Sequence, residues 1–426
     1  MISSGILKKS FKVLFIRGAG VFLLFMLSLF LTNFYSPEQV GRYDFVRATI
    51  MILSGASLIG TNQSIIYYSG ILKSKNSLSS IKNIYYKMAK MTGAICLLFI
   101  VGGSIVSEET INQAFNKNDA YELIFSTIGV LFFYTITMLN IDTLRGLEKT
   151  TISELYRNVF RYVPVFIFSI ILFLTQNQEW LIEVFLAGFI LLFIITTTQT
   201  IRLFKKLKSS NNKEQSFSYA QIFKRSYPMA LSAIAYFIMQ SVDIIILTAY
   251  EGYDKVAYYS IAVKLATVTA LALMSVNIVI APKIAEIYNN NDHNTLNNLI
   301  RDSSRIIFSI SFPVLIILFV FSGFILSFFG ENYVLAKDAL GILLVGQFFS
   351  SICGPGAIYL NMTGREQKLN KILIAGLFVN VILNFILIPV YGIEGAAAAT
   401  LISMLFWNTL IVTTIYKSDK IKIFIS

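Results

Sequence analysis

The sequence predicts an all-α polytopic membrane protein of about twelve helices, and three observations carry that prediction. Hydrophobic residues make up 56% of the 426-residue chain and charged residues only 14%, against roughly 25% charged in an ordinary soluble domain. The mean hydropathy is +0.69. The apolar residues fall in blocks of about 20, the length that crosses ~30 Å of hydrocarbon, and no polar stretch between them is long enough for a soluble domain. The net charge of +12 would suggest nucleic acid in a soluble protein. Here it is read as the positive charge that collects on cytoplasmic loops, and no nucleic-acid partner is expected. Cys96 and Cys353 lie inside apolar blocks and form no disulfide framework. His293 is the one histidine and has no clustered cysteines beside it, so no metal site and no bound cofactor are expected.

The blocks run over about 11–35, 44–71, 88–107, 121–143, 156–176, 180–203, 226–250, 256–282, 305–329, 338–362, 370–390 and 395–416. The first follows Lys8, Lys9 and Lys12 as a signal peptide would. It is too long for an h-region and lacks a small-residue cleavage site, so it is read as a transmembrane helix. An even number of helices places both termini on one side. Lysine and arginine crowd the loops on that side, while the alternate loops hold only Arg42, Lys117, Lys255 and Lys337. The positive-inside rule then makes both termini cytoplasmic, and the expected location is the bacterial inner membrane.

The most polar linker, Arg202 to Arg225, has a flexible centre at Ser209–Lys213. It divides the chain into an N-terminal six-helix lobe (1–204), a linker (205–225) and a C-terminal six-helix lobe (226–426). An internal repeat supports the division. When Val40 is aligned with Val256, Tyr43 meets Tyr259, and Arg47 and Lys264 fall one residue apart. Six helices per half make the repeat parallel, with a pseudo-twofold along the membrane normal. Gly354-Pro355-Gly356 is expected to break the tenth helix. The run Gly395 to Ala399 is expected to let helices approach closely.

The strongest chemical signal is charge at bilayer depth, which costs on the order of 2.5–3.5 kcal/mol even on a mild insertion scale unless it faces a partner or a wet cavity. Arg17 lies ~9 Å into the first helix and Lys264 ~12 Å into the eighth, at 1.5 Å per residue. Asp243 sits at comparable depth and is too short to reach the interface. Arg47, with Asp44 near it, lies a few residues inside the outer boundary, where it reads equally as a cavity rim or an interface anchor. Arg157 and Arg161 stand one turn apart on the fifth helix, where lipid headgroups are the simpler partner. Arg17, Arg47 and Lys264 outnumber the acid Asp243, an excess that suits an anionic ligand such as a diphosphate.

Several motifs then resemble a known family. They are Gln240-Ser241-Val242-Asp243, the turn Asp254 to Tyr259, Ala262-Val263-Lys264-Leu265, Pro282, Gly364-Arg365-Glu366 and Ile388 to Ala397. With the length and helix count, they look like the polysaccharide-type (O-antigen repeat-unit) flippases of the multidrug/oligosaccharidyl-lipid/polysaccharide exporter superfamily. The resemblance implies a V-shaped pair of six-helix bundles around a cationic cavity lined by helices one, two, seven and eight. It implies alternating access, with an undecaprenyl-diphosphate-linked oligosaccharide moved to the outer leaflet and polysaccharide-assembly proteins as associates. It also implies coupling to a cation such as H+ or Na+, a role open to Asp243. A multidrug antiporter is the nearest rival but should favour acids in its lobes. A lipid-linked peptidoglycan precursor flippase shares the same chemistry. An enzyme is disfavoured, because the longest outer loop, about Ser107 to Ala120, has only scattered charges and no histidine.

Overall fold

The computed structural model describes residues 4–74, 77–207, 216–290, 292–421 and 423. The linker centre at Ser209–Lys213, and the loop lysines Lys75 and Lys422, lie outside the described residues. Every regular element among the described residues is helical. Among the described residues nine helices are long and apolar enough to cross a membrane, or ten if one bent pair counts as a single span. The twelve apolar blocks are all recovered, because one very long helix holds two of them and the seventh block is divided at a turn.

The chain forms two compact units, Met1–Phe237 and Ile238–Ser426. The first contains α1 (Ser4–Phe34), α2 (Pro37–Leu58), α3 (Thr61–Ser74), α4 (Ile81–Ile105), α5 (Glu108–Phe115), α6 (Ala120–Gly146), α7 (Thr150–Leu155), α8 (Val163–Leu174), α9 (Leu181–Lys206) and most of α10 (Tyr219–Met239). Helix α6 is the axis of this unit, with 61% of its apolar window buried. Its inward face carries Thr127, Thr135, Thr137, Asn140, Asp142 and Thr143, all buried. In hydrocarbon such groups must find partners inside the protein. Asn140 accepts from the Tyr85 hydroxyl (2.6 Å) and donates to Thr196 (3.1 Å) and Thr197 (2.9 Å), tying α4 and α9 to α6.

Helix α2 starts at a capping box. Ser36 Oγ accepts from Gln39 N–H, Gln39 Oε1 accepts from Ser36 N–H, and Pro37 fills the first helical position. It ends in a left-handed pair, Ile59 (φ 45°) and Gly60 (φ 70°), and α3 departs at 45°. Gly60 is required there twice over. Its positive φ suits glycine, and a Cβ would collide with the Ser226 carbonyl and lie 2.6 Å from Ala230 N on α10. That close approach, with a Ser64–Ser226 hydroxyl bond of 2.7 Å, fastens α10 to the first unit. Phe217 helps as well: its carbonyl accepts from Lys87 Nζ (2.6 Å) and its ring packs on Tyr68. The boundary between compact units therefore falls at 237/238, inside the seventh apolar block, rather than at the polar linker.

The second unit holds α11 (Val242–Tyr250), α12 (Tyr253–Val268), α13 (Ala270–Asn289), α14 (His293–Val320), α15 (Ser322–Ser327), α16 (Lys337–Cys353), α17 (Gly356–Met362) and α18 (Glu366–Asp419). Gly354 (φ 62°) and Pro355 separate α16 from α17, where the sequence places a break. A Cβ on Gly354 would collide with Ser304 on α14. Helix α18 spans the last two apolar blocks across a kink at Gly392 (φ 54°, ψ −126°), where a Cβ would stand 2.7 Å from Glu251 Oε1. Ala396, Ala397 and Ala399 are fully buried behind that kink, the close packing expected of the small-residue run.

Candidate functional site

In the first unit the intramembrane arginines gather on the fifth span. That span is irregular: α7 passes into one π-helical turn, Tyr156–Phe160, before α8 begins at Val163 with Pro164 in its first turn. Such single π turns concentrate at functional sites because they re-aim the side chains around them. Here the turn sends Arg157 and Arg161 to two places along α6. Arg157 forms an ion pair with Asp142. Arg161 lies over the ring of Tyr134 (5.6 Å) and beside that of Tyr162 (5.9 Å). Both side chains therefore turn inward onto α6, away from the headgroup setting expected of them, because α6 offers a carboxylate and an aromatic ring two turns apart.

Arg17 reaches from α1 to Glu154 on α7 in a two-pronged pair, Nε to Oε2 at 2.9 Å and Nη2 to Oε1 at 3.0 Å. Glu154 is 1% exposed, and Asn158 donates to both its carbonyl and its carboxylate at 3.0 Å, so the acid is held in place from the π turn. Planar fork-to-fork geometry of this kind is the strong form of an ion pair. Gly20 makes room for it: a Cβ there would sit 2.7 Å from the Asn158 Cβ. Arg47 pairs with fully buried Asp44 one turn back at 2.9 Å. Beside them Tyr43 is buried with no hydrogen-bond partner for its hydroxyl among the described residues, within electrostatic reach of Arg47 and Arg161.

These pairs revise the charge count. The sequence sets three cations against one acid, but Arg17, Arg47 and Arg157 each have a buried carboxylate. Glu154 and Asp142 are the residues that sequence reasoning misses. Glu154 falls just outside its apolar block. Asp142 closes one, and its setting between Asn140 and Thr143 is the available signal.

In the second unit Asp243 begins α11, just after the turn at Gln240–Ser241 that divides the seventh span. A carboxylate is favoured at a helix N-terminus by the unpaired N–H groups there. Its Oδ1 accepts from Ile244 N–H (2.9 Å) and its Oδ2 from the Tyr259 hydroxyl (2.6 Å). Lys264 is buried two-thirds of the way along α12. Asp243 borders a cavity of about 130 Å3 whose polar lining includes Gln240, Gln347, Asn380, Thr400 and Ser403. Asn384 donates to Asn380 from the next turn, while its own buried amide oxygen has no hydrogen-bond partner among the described residues. The structure thus places Arg17, Arg47, Arg157 and Arg161 within the first unit, and Asp243 and Lys264 within the second.

Comparison with known proteins agrees with this architecture. Residues 228–386 match the MatE family. An uncharacterized membrane protein of Methanocaldococcus jannaschii is 24% identical over 85% of this chain and 74% of its own length. A putative O-antigen transporter of Shigella flexneri is 28% identical over 40% of each chain. The probable low-salt glycan biosynthesis flippase Agl15 of Haloferax volcanii is 28% identical over 46% of this chain and 42% of its own. This chain thus spans about two fifths of the two glycan-related proteins it matches. Among solved structures, a lipid II flippase MurJ in an inward closed conformation superposes with a TM-score of 0.73 at 16% identity, covering 94% of this chain and 87% of the other. An inward-facing multidrug resistance MATE transporter gives 0.69 at 14% identity, covering 96% and 98%. Residues 228–386 are thus similar to the MatE family, and the likeness to these solved structures is one of fold.

Proposed function

We propose that this protein flips a polyprenyl-diphosphate-linked oligosaccharide from the cytoplasmic to the outer leaflet of the bacterial inner membrane, both termini being cytoplasmic. The observation that carries the reading is the concentration of arginine inside the first unit: Arg17, Arg47, Arg157 and Arg161 against Glu154, Asp44 and Asp142. A drug antiporter handling cations gains nothing from an interior that holds more cation than acid, whereas a diphosphate head does. The names of the Shigella and Haloferax relatives support the same direction. The sugar-diphosphate head enters the protein while the polyprenyl tail stays in lipid. The arginine excess of the first unit compensates the diphosphate, and the two units alternate access. Asp243 is the coupling acid. Its carboxylate can take up a proton, and together with the amide and hydroxyl oxygens that line its cavity it suits a sodium ion.

A strain lacking the gene tests this. Complete lipid-linked repeat units should accumulate in the inner leaflet while surface glycan is lost. Normal surface glycan with new drug sensitivity would move the assignment to a multidrug antiporter. Stranded peptidoglycan precursor would move it to the other lipid-linked class.

A further inference from the structure

Arg161 is set apart from the other arginines of the first unit. Arg17, Arg47 and Arg157 each hold a buried carboxylate. A phosphate that binds one of them must share its guanidinium with that acid. Arg161 makes no ion pair and no hydrogen bond among the described residues, and its contacts are the π faces of Tyr134 and Tyr162. A ring face attracts the cation without using any of its five N–H donors. The residue as a whole is part-buried rather than sealed in the core. The π turn ends at Phe160, immediately before Arg161, and so fixes where the guanidinium points. The second donor is Tyr43, whose buried hydroxyl has no hydrogen-bond partner among the described residues and lies within electrostatic range of Arg161.

Resting on the flippase reading above, we propose that Arg161, with the Tyr43 hydroxyl, is the group in the first unit that grips a phosphate of the ligand. The neighbouring arginine–carboxylate pairs then serve to hold the helices around it. The ligand class is a polyprenyl diphosphate, recognised through its phosphate oxygens.

The test uses the purified full-length protein in nanodiscs, with farnesyl diphosphate and farnesol as probes. The wild type should bind the diphosphate. Arg161→Gln should weaken that binding by about ten- to a hundredfold, the loss expected for a charge-assisted hydrogen-bonded contact, and leave farnesol binding unchanged. Arg161→Lys should recover part of the loss, and Tyr43→Phe should weaken only the diphosphate. Equal diphosphate binding by Arg161→Gln and wild type would overturn the proposal. So would an equal loss for both probes, which marks a packing role. A measurement on the wild type covers the case in which a variant fails to fold. Farnesyl diphosphate, but not farnesol, should protect Arg161 from phenylglyoxal, read by mass spectrometry. Protection of other arginines with Arg161 still modified would sink the assignment and leave the flippase reading standing. A wild type that ignores the diphosphate altogether would remove both.

Discussion

The end of α18 is held by a charged clasp whose strength can be worked from its geometry. Asp419 accepts two bonds from Arg365, one of them Nη2 to Oδ1 at 2.7 Å, and one from the Tyr359 hydroxyl at 2.6 Å. Arg365 also donates to Tyr288 at 3.1 Å. Asp419 is 7% and Arg365 17% exposed. Beyond the clasp the chain turns at Lys420 (φ 58°), buries Ile421 and Ile423 in the core shared by α13, α14 and α17, and accepts from Ser304 Oγ at 2.6 Å on the Ile423 carbonyl. Removing one partner of a buried ion pair costs about 3–5 kcal/mol because the other charge is stranded. Arg365 keeps Tyr288 and some solvent, so the low end, about 3 kcal/mol, is the expectation for Asp419→Ala. The assay is denaturant unfolding in micelles followed by Trp407, which packs on this core. A cycle with Arg365→Met should give a coupling of about 2 kcal/mol. A loss within about 1 kcal/mol, with additive variants, would mean that the clasp behaves as an exposed surface pair and would refute the reasoning.

The clasp also fixes a pH dependence. Burial alone would raise the Asp419 carboxyl, but hydrogen bonds from Arg365 and Tyr359 and the guanidinium charge overcome it and hold the carboxyl below its ordinary value. The Asp419 hydrogen bond raises Arg365 above its already high ordinary value despite opposing burial, so it stays charged throughout. A carboxyl lowered in the folded state contributes stability that is complete above the unfolded value near 3.9 and lost as pH falls through the folded one. The difference between wild type and Asp419→Asn should therefore be flat from about pH 5 to 8 and shrink below about pH 4.

Three further outcomes follow from particular contacts. Glu154→Gln strands the Arg17 guanidinium, so unfolding should come about 3 kcal/mol sooner, and adding Arg17→Gln should restore a good part of the loss; two independent losses would argue against the pair. Gly60→Ala places a Cβ into α10 at a left-handed position and should cost at least about 2 kcal/mol in the same unfolding assay, whereas Gly70→Ala, in open space on α3, should cost nothing measurable. Tyr259→Phe removes one donor from buried Asp243 and should cost about 1–3 kcal/mol; a neutral variant would show that Asp243 has another donor ready.

Much of this fold is legible in the residues because membrane helices obey few constraints. Length and hydropathy locate the blocks, and Gly354-Pro355 marks a break that the structure contains. What stays hidden depends on contacts between distant positions. Arg17 and Glu154 are 137 residues apart in the chain, and nothing in either neighbourhood names the other. Arg157 and Arg161 read as one face of a regular helix, and the π turn that separates their targets has no composition of its own. The linker looks like the division between units because it is polar. The packing of α10 against Gly60 is a matter of shape, and shape moves the division to 237/238.

The internal repeat shows how far an aligned pair of tyrosines can be trusted. Tyr43 is the seventh residue of α2 and Tyr259 the seventh of α12, each helix following an extended cap residue, Ser36 or Gly252. Both rings are buried. The backbone of the repeat is therefore preserved, but its chemistry is not. In α2 the next residue is Asp44, which captures Arg47 within one turn. In α12 the next residue is Ser260, whose buried hydroxyl has no hydrogen-bond partner among the described residues, and Tyr259 reaches instead to Asp243 on another helix. Moving the acid from beside the tyrosine to the start of a broken helix changes what it can do. Asp44 is 0% exposed and committed to an arginine, so it can only hold charge in place. Asp243 is held by a hydroxyl and a backbone N–H and borders a cavity, so a change in its charge state alters the hydrogen bonds at a helix break. On the proposed reading the two halves divide the work along this line, the first binding the anion and the second sensing the coupling cation. Asp243→Asn should then abolish export while leaving diphosphate affinity within about threefold of wild type, a split well under the tenfold that 1.4 kcal/mol represents. Loss of both together would show that the halves share one site.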